Sequence, residues 1–332
     1  MVKSKLERLS RHRSLRVIPL LRLHYHRNDS PEALVRFHQR INEIRYRLFF
    51  WRFAPAKYRG GLLLNLLGFQ VLRYLYFNLR YALRGGARSE ALPPAAVYEM
   101  RRNGFTLRPG ALSQADITPL LAFYNRHRAR CMNHFEDFSE LLIANSRGPV
   151  DVSEDYRAIY ELTRKATRWD DLGRALTRRS MAINPYVAIL HYKSSASRPQ
   201  QQDGQDTPHC DVFYPSFKAF FYLNDVDAAG GPLTFYTGSQ AFGWRRALQE
   251  YIDSVRYFAG ARNDTKPISN QEYAERGGYP ATPLTGTAGT AVLFNVQGIH
   301  RRGDFRKDRD RERIVLLIDF RQAEVALRRF AA

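Results

Sequence analysis

The sequence predicts an α+β protein: a β-barrel or double-sheet jelly roll, flanked by helices and preceded by a basic helical arm. Three observations carry that prediction. Apolar residues recur at helical spacing as far as about Met181. From Ala182 the period falls to two, in short runs divided by Gly and Pro. The charge is lopsided: residues 1–89 hold 19 Lys and Arg against four acids, which is +15 of the chain's total of +20.

Composition narrows the class further. Apolar residues at 44% and charged residues at 25% exclude a globally disordered chain. Two cysteines, Cys131 and Cys210, exclude a disulfide-stapled scaffold and a zinc site built on a cysteine cluster. A reducing cytoplasm is the expected compartment. The basic start at Met1 is followed by no uninterrupted apolar core, so no cleaved secretory signal is expected.

The chain divides into a basic, amphipathic helical region (1–90) and a larger region (91–332). In the first, Pro31 opens a helical pattern capped by Asp29 or Ser30, with Leu34, Phe37, Ile41, Ile44 and Leu48 on one stripe. A second helix is expected from Leu62 to Leu83. Its polar positions Asn65, Gln70, Arg73, Arg80 and Arg84 fall within about 140° of one face. Its unbroken apolar run is too short for a membrane span, which takes about 20 residues. A broad apolar arc edged with Arg suits the plane of an anionic membrane instead, with Leu63, Leu66, Leu67, Leu75 and Leu79 inserted and Arg73, Arg80 and Arg84 at the headgroups. Packing of the same helix on the rest of the protein is the rival reading. Nucleic acid is a further anionic partner for the arm, but the remaining 243 residues carry only +5, which gives little basic surface for a nucleic-acid groove.

In the second region, Ser113 and Asp116 form a capping-box-like start for a helix carrying Leu120, Leu121 and Tyr124. Helical patterns are read onward to about Met181, including Cys131 to Leu142. Strands are expected at 184–193, 217–223, 232–237, 289–297 and 313–320. Many short strands after a helical stretch point to the barrel or jelly roll.

The sharpest local feature is His209-Cys210-Asp211. In extended chain His209 and Asp211 share a face, which puts an imidazole and a carboxylate side by side. These are two ligands of a two-His-one-carboxylate iron(II) site. Cys210 points the other way and reads as a packed thiol. His134 and Glu136 are also two apart, but in a helix such positions diverge by about 200° and cannot chelate one metal. His300, after the strand that begins at Gly289 and the turn at Gly298, is the candidate third ligand. Arg313 heads an apolar strand and needs an anionic partner. The distal carboxylate of 2-oxoglutarate matches its planar fork, and a pair with Asp319 or Glu312 is the alternative. Lys218, on a face shared with Phe220 and Tyr222, and Arg302 are further candidates for holding the co-substrate. His191 and Tyr192 lie on opposite faces of one strand, so only one points inward.

Five blocks in order resemble the phytanoyl-CoA dioxygenase family of iron(II)/2-oxoglutarate oxygenases, between about Tyr98 and Phe320. They are Arg102-Asn-Gly-Phe-Thr-Leu-Arg-Pro-Gly110; His209-x-Asp211; Lys218 to Asp227; Gly231-Pro-Leu-Thr-Phe-Tyr-Thr-Gly-Ser-Gln240; and Gly289 to His300 with Arg313. Thr237 and Gln240 depart from the family's Pro and His in the fourth block. The resemblance implies a double-stranded β-helix of the jelly-roll or cupin-like kind. It implies iron(II) held by His209, Asp211 and His300, with 2-oxoglutarate chelating the metal and anchored by Arg313, and O2 as the oxidant. Related halogenases replace the carboxylate with a small residue, so Asp211 implies hydroxylation. The substrate expected is a small or lipid-linked metabolite, with the enzyme cytoplasmic and peripheral to a membrane through residues 1–89.

Overall fold

The computed structural model describes residues 58–320 apart from 59, 85–88, 136–137, 146–147, 179–184, 195–204, 260–268 and 306–309. The helix expected from Pro31 lies outside the described residues, as does most of the basic arm.

Where one helix was expected over Leu62–Leu83 there are two, α1 (Gly61–Leu66) and α2 (Phe69–Leu83). The break falls at Gly68, whose φ of 87° only glycine adopts without strain. Then come α3 (Pro94–Asn103), β1 (Phe105–Arg108) and α4 (Gln114–Arg126). The expected capping box opens α4: the Asp116 N–H donates to the Ser113 side chain, and the Ser113 N–H donates back to the Asp116 carboxylate.

The helical reading then fails. Residues 131–142 contribute to β2 (Met132–Phe135) and β3 (Phe138–Asn145), a hairpin followed by the short β4 (Gly148–Pro149). β3 pairs antiparallel with β5 (Tyr186–Ser194), from Phe138 opposite Tyr192 to Ala144 opposite Val187. A sheet edge awaiting a partner overrides a local helical spacing. The helical argument that set His134 aside therefore does not hold, and its companion Glu136 lies outside the described residues. Helices α5 (Glu154–Thr167) and α6 (Trp169–Thr177) complete the first half.

The second half supplies β6 (Phe217–Tyr222), β7 (Leu233–Tyr236), α7 (Trp244–Ala259), α8 (Ser269–Arg276), β8 (Ala281–Leu284), β9 (Ala291–Asn295), β10 (His300–Arg302) and β11 (Arg311–Asp319). Every strand expected from the period of two is present. One antiparallel sheet runs β1-β9-β6-β11-β5-β3-β2, with β4 paired to β3; a second runs β10-β7-β8. Single bridges at His209–His300, Val226–Gly286 and Gly230–Phe305 extend the smaller sheet. The result is the double-sheet jelly roll, with an α+β layout.

Alternation along the strands sets two cores. Ala219, Phe221, Leu293, Leu316 and Ile318 face outward from the large sheet, into a cluster with Leu120, Phe123, Trp169 and Leu172 of the covering helices. Phe220, Tyr222, Val292, Phe294, Val315 and Leu317 face inward between the sheets. Lys218, Arg313 and Asp319 have the same inward parity, so β6 and β11 bring charge into the barrel at their ends. Among the described residues no helix is long and apolar enough to cross a membrane.

Candidate metal and co-substrate site

Two main-chain hydrogen bonds clip the segment before β6 to β10: His209 N–H to His300 O at 2.9 Å, and His300 N–H to His209 O at 2.8 Å. The Asp211 N–H donates to Val296 O at 3.0 Å. The turn into β10 is tight, because a Cβ on Gly298 would stand 2.3 Å from the Phe235 ring. Inside it the Asn295 carbonyl side chain accepts from the Gln297 N–H at 3.0 Å. These local constraints bring His209, Asp211 and His300 together, and one ligand atom of each lies within 4.8 Å of the others.

The orientation of the rings matters more than their proximity. His209 donates Nδ1–H to Thr207 O at 2.8 Å, and His300 donates Nδ1–H to Gly298 O at 3.0 Å. A carbonyl can only accept, so both rings hold their proton on Nδ1 when neutral and carry the lone pair on Nε2. Both Nε2 atoms lie 3.7 Å from the same atom, Asp211 Oδ1. Two lone pairs and a carboxylate oxygen converging on one point is the donor set that fits iron(II), with the outer hydrogen bonds that fix ring orientation already made.

The other oxygen of Asp211 is held by Lys218, whose Nζ stands 2.6 Å from Oδ2. Burial alone would raise the Asp211 pKa. The Lys218 ammonium and then the two imidazoles outweigh it and hold the carboxyl well below the usual range, so Asp211 is ionised. The side chain sequence reasoning offered as a co-substrate ligand thus grips the carboxylate.

Deeper in the barrel, Arg313 is 2% exposed. Its guanidinium lies 4.4 Å from the centroid of the Tyr192 ring and donates to Gly231 O through Nη1. Its Nε is buried without a hydrogen-bond partner. No described carboxylate pairs with it: Glu312 instead meets His191 Nε2 at 3.0 Å on the opposite face of the sheet, where the Tyr124 hydroxyl reaches Nδ1 at 2.9 Å. Tyr192 is therefore the inward member of the His191–Tyr192 pair. Arg302 also lies over Tyr192, at 5.6 Å, and over Phe305, at 5.8 Å. Burial lowers the Arg313 pKa; Tyr192 and Tyr222 oppose that, and Arg302 adds to it. Tyr222 is pushed up to about 12, chiefly by burial, and stays a neutral phenol. Two buried guanidiniums over one ring suit an anionic group between or beside them.

Sequence reasoning missed the support behind Cys210. This residue points away from the ligands as expected, but it is no passive filler: Arg246 Nη2 donates to its Sγ at 2.8 Å. Arg246 is 1% exposed and pairs with Glu250 at 2.9 Å; Glu250 accepts from Gln70 at 3.2 Å, and Gln70 accepts from Arg73 at 2.8 Å. A buried polar chain thus runs from α2 through α7 to the residue between His209 and Asp211. A cavity of about 350 Å³ lies elsewhere, outside the barrel between α2, α3 and β6, lined by Tyr81, Met100, Leu176 and Phe217 among others. None of the three clustered residues lines it.

A jelly roll with a buried His-Asp-His cluster at the junction of its sheets defines a non-haem iron(II)/2-oxoglutarate-dependent oxygenase. Within that class, the chain belongs to the phytanoyl-CoA dioxygenase family, whose family model matches residues 100–312. Similar solved structures include the non-haem α-ketoglutarate-dependent carbocyclase SnoK from nogalamycin biosynthesis, at 15% identity and TM-score 0.47, covering 71% of this chain and 87% of that one. EctD from S. alaskensis with 2-oxoglutarate and 5-hydroxyectoine aligns at 12% identity and TM-score 0.45, covering 71% and 79%. The epimerase SnoN in complex with Fe3+, α-ketoglutarate and nogalamycin RO aligns at 17% and 0.43, covering 68% and 82%. A comparison with curated proteins gives no match. At these identities and scores the family assignment rests on the family model and on the site.

Proposed function

We propose that this enzyme hydroxylates a small or lipid-linked metabolite at a membrane surface, using iron(II), 2-oxoglutarate and O2. The observation that carries the reading is the pair of Nε2 lone pairs facing Asp211 Oδ1, each fixed by an Nδ1–H bond to a carbonyl. His209, Asp211 and His300 would hold the metal. The bound metal and 2-oxoglutarate supply the oxidising chemistry, in which the co-substrate and O2 become succinate and CO2 while a substrate C–H becomes C–OH.

The chain's own residues do the rest. Lys218 holds Asp211 through Oδ2 and leaves Oδ1 toward the imidazoles. Arg313 takes the distal carboxylate of 2-oxoglutarate through the edge of its guanidinium that holds the unpaired Nε. Arg302, above the same tyrosine, adds positive charge. Phe235, Phe294 and Phe220 wall the site and exclude water. The outward leucines of α2 favour a lipid surface over nucleic acid as partner.

Succinate release from 2-oxoglutarate with iron(II) and ascorbate, against a panel of amphipathic and polar metabolites, tests the reading. One substrate that couples succinate to its own hydroxylation supports it. Turnover that persists when iron is chelated contradicts it.

A further inference from the structure

In α1 and α2 several polar residues lie on the buried side, beside Tyr74, Leu75 and Phe77, which pack on the barrel. Asn65, Gln70, Arg73 and Asn78 are buried. Arg73 lies 4.5 Å from the Phe213 ring centroid, Gln70 meets Glu250, and Asn78 accepts from Gln297 at 3.1 Å. The side turned away from the protein is leucine: Leu67 is 82% exposed, Leu72 63%, Leu79 59% and Leu83 76%. On α2, Leu72, Tyr76, Leu79 and Leu83 fall within about 60° of one another. A helix at a water interface shows the reverse arrangement.

The apolar face continues beyond these helices. Phe242 stacks on Tyr74 with centroids 5.5 Å apart, and Trp244 and Leu248 lie one turn apart at the start of α7; all three are more than half exposed. Leu79 and Phe242 also line the cavity outside the barrel. Scattered surface leucines need no explanation, but a contiguous set of this kind marks an interaction site.

We infer that this face, α1–α2 with the start of α7, docks flat on an anionic lipid bilayer. This rests on the membrane half of the proposed function and is independent of its metal half. The occupant is chosen by charge and composition. No Asp or Glu occurs between Glu43 and Glu90, whereas that stretch holds nine Lys and Arg, and the 57 residues before Tyr58 hold 14 Lys and Arg against four acids. An acid-free, Leu-rich face with Tyr and Trp, joined to a basic segment, matches acyl chains below and anionic headgroups above. Since no described helix can span, the contact lies in the interface plane. The sequence-based choice of residues changes accordingly. Arg73 is inward and not at the headgroups, and Leu75 packs on the barrel, while Leu72, Tyr76 and Leu83 join the inserted set.

The test is flotation of the full-length protein with phosphatidylcholine vesicles, with and without phosphatidylglycerol, for wild type and the double variant Leu72→Glu/Leu79→Glu. Wild type floats with the anionic vesicles, less so at high salt, and Trp244 emission shifts to the blue on binding. The variant loses about tenfold or more in partitioning and keeps its thermal midpoint and its iron(II) affinity, because both side chains face outward. Failure of wild type to float, or equal flotation by the variant, overturns the inference. So does a wild-type dimer that the variant dissociates without any vesicle binding, which assigns the face to a second copy. A fall in the variant's thermal midpoint without vesicle binding by wild type overturns it as well, in favour of cover by the chain's own preceding segment.

Discussion

Inside the jelly roll, the side chains that alternate inward include Phe220, Tyr222, Val292, Phe294, Val315 and Leu317, and charged or imidazole groups enter at places such as His209, Asp211, Lys218, His300, Arg302 and Arg313. In α2 the buried residues are Gln70, Arg73, Tyr74 and Asn78, with Val71, Leu75 and Phe77 packed beside them on the barrel, while Leu72, Leu79 and Leu83 face out. The first region buries its apolar surface and admits polar groups where they converge on chemistry. The second buries polar groups that hold one another beside Tyr74, Leu75 and Phe77, and turns a second apolar face of leucines away from the protein. The difference teaches that amphipathicity fixes which residues share a face, but the surroundings on both sides decide which face is inside. In α2, the inner surroundings are the Glu250–Arg246–Cys210 chain that reaches the segment carrying His209 and Asp211.

The strongest way to break the barrel side of the comparison is Asp211→Ala. Losing the single anionic donor, and leaving Lys218 without its partner, is expected to abolish substrate-coupled succinate release and to reduce iron(II) affinity by at least about tenfold. Full turnover by that variant would show that the cluster is not the metal site.

Glu250→Ala probes the α2 side. It leaves Arg246 buried without its carboxylate and should destabilise the fold by about 3–5 kcal/mol in urea titrations. A change under about 1 kcal/mol would mean that the polar chain does not hold α2 to the barrel. Arg313→Leu returns to the barrel. Removing the charge-assisted pair with 2-oxoglutarate should cost about 2–5 kcal/mol, more than tenfold in the co-substrate requirement, with iron affinity kept. An unchanged requirement points to Arg302.

The smallest effect concerns the outer face of the sheet. Burial, then the Lys193 charge, lowers the His191 pKa below 6.5, against the opposing pull of Glu312. The folded protein therefore keeps His191 neutral where the unfolded chain already binds a proton. Stability is full above the unfolded value and falls as pH drops from about 6.5 toward the folded value. His191→Gln should flatten that fall between about pH 7.5 and 5.5; an identical pH dependence would exclude His191 as its source.

Much of this was legible in the sequence, and the exceptions are physical. Period-two runs located five strands because successive side chains alternate between two faces, and in β5, β6, β9 and β11 one face packs on the helices and the other on the barrel interior. His209, Asp211 and His300 were legible because the chemistry demands those residue types near one another. Arg313 stood out as a cation at the head of an apolar strand. The β2–β3 hairpin was not legible, since Phe138 to Ala144 are strand only by virtue of pairing with β5. Arg246 could not be linked to Cys210, because 36 residues separate them and no spacing rule joins them. The polar stripe of α2 was visible, but a helical wheel does not say which side the protein occupies.

On the proposed function, His209, Asp211 and His300 form one iron(II) site that 2-oxoglutarate shares with Arg313. Anaerobic titration with iron(II), followed by 2-oxoglutarate, tests it most directly. The account predicts one iron per chain in wild type, 2-oxoglutarate binding that depends on that iron, loss of both in Asp211→Ala, and loss of the second alone in Arg313→Leu. Equal iron binding by wild type and Asp211→Ala, or 2-oxoglutarate binding indifferent to iron, would contradict it.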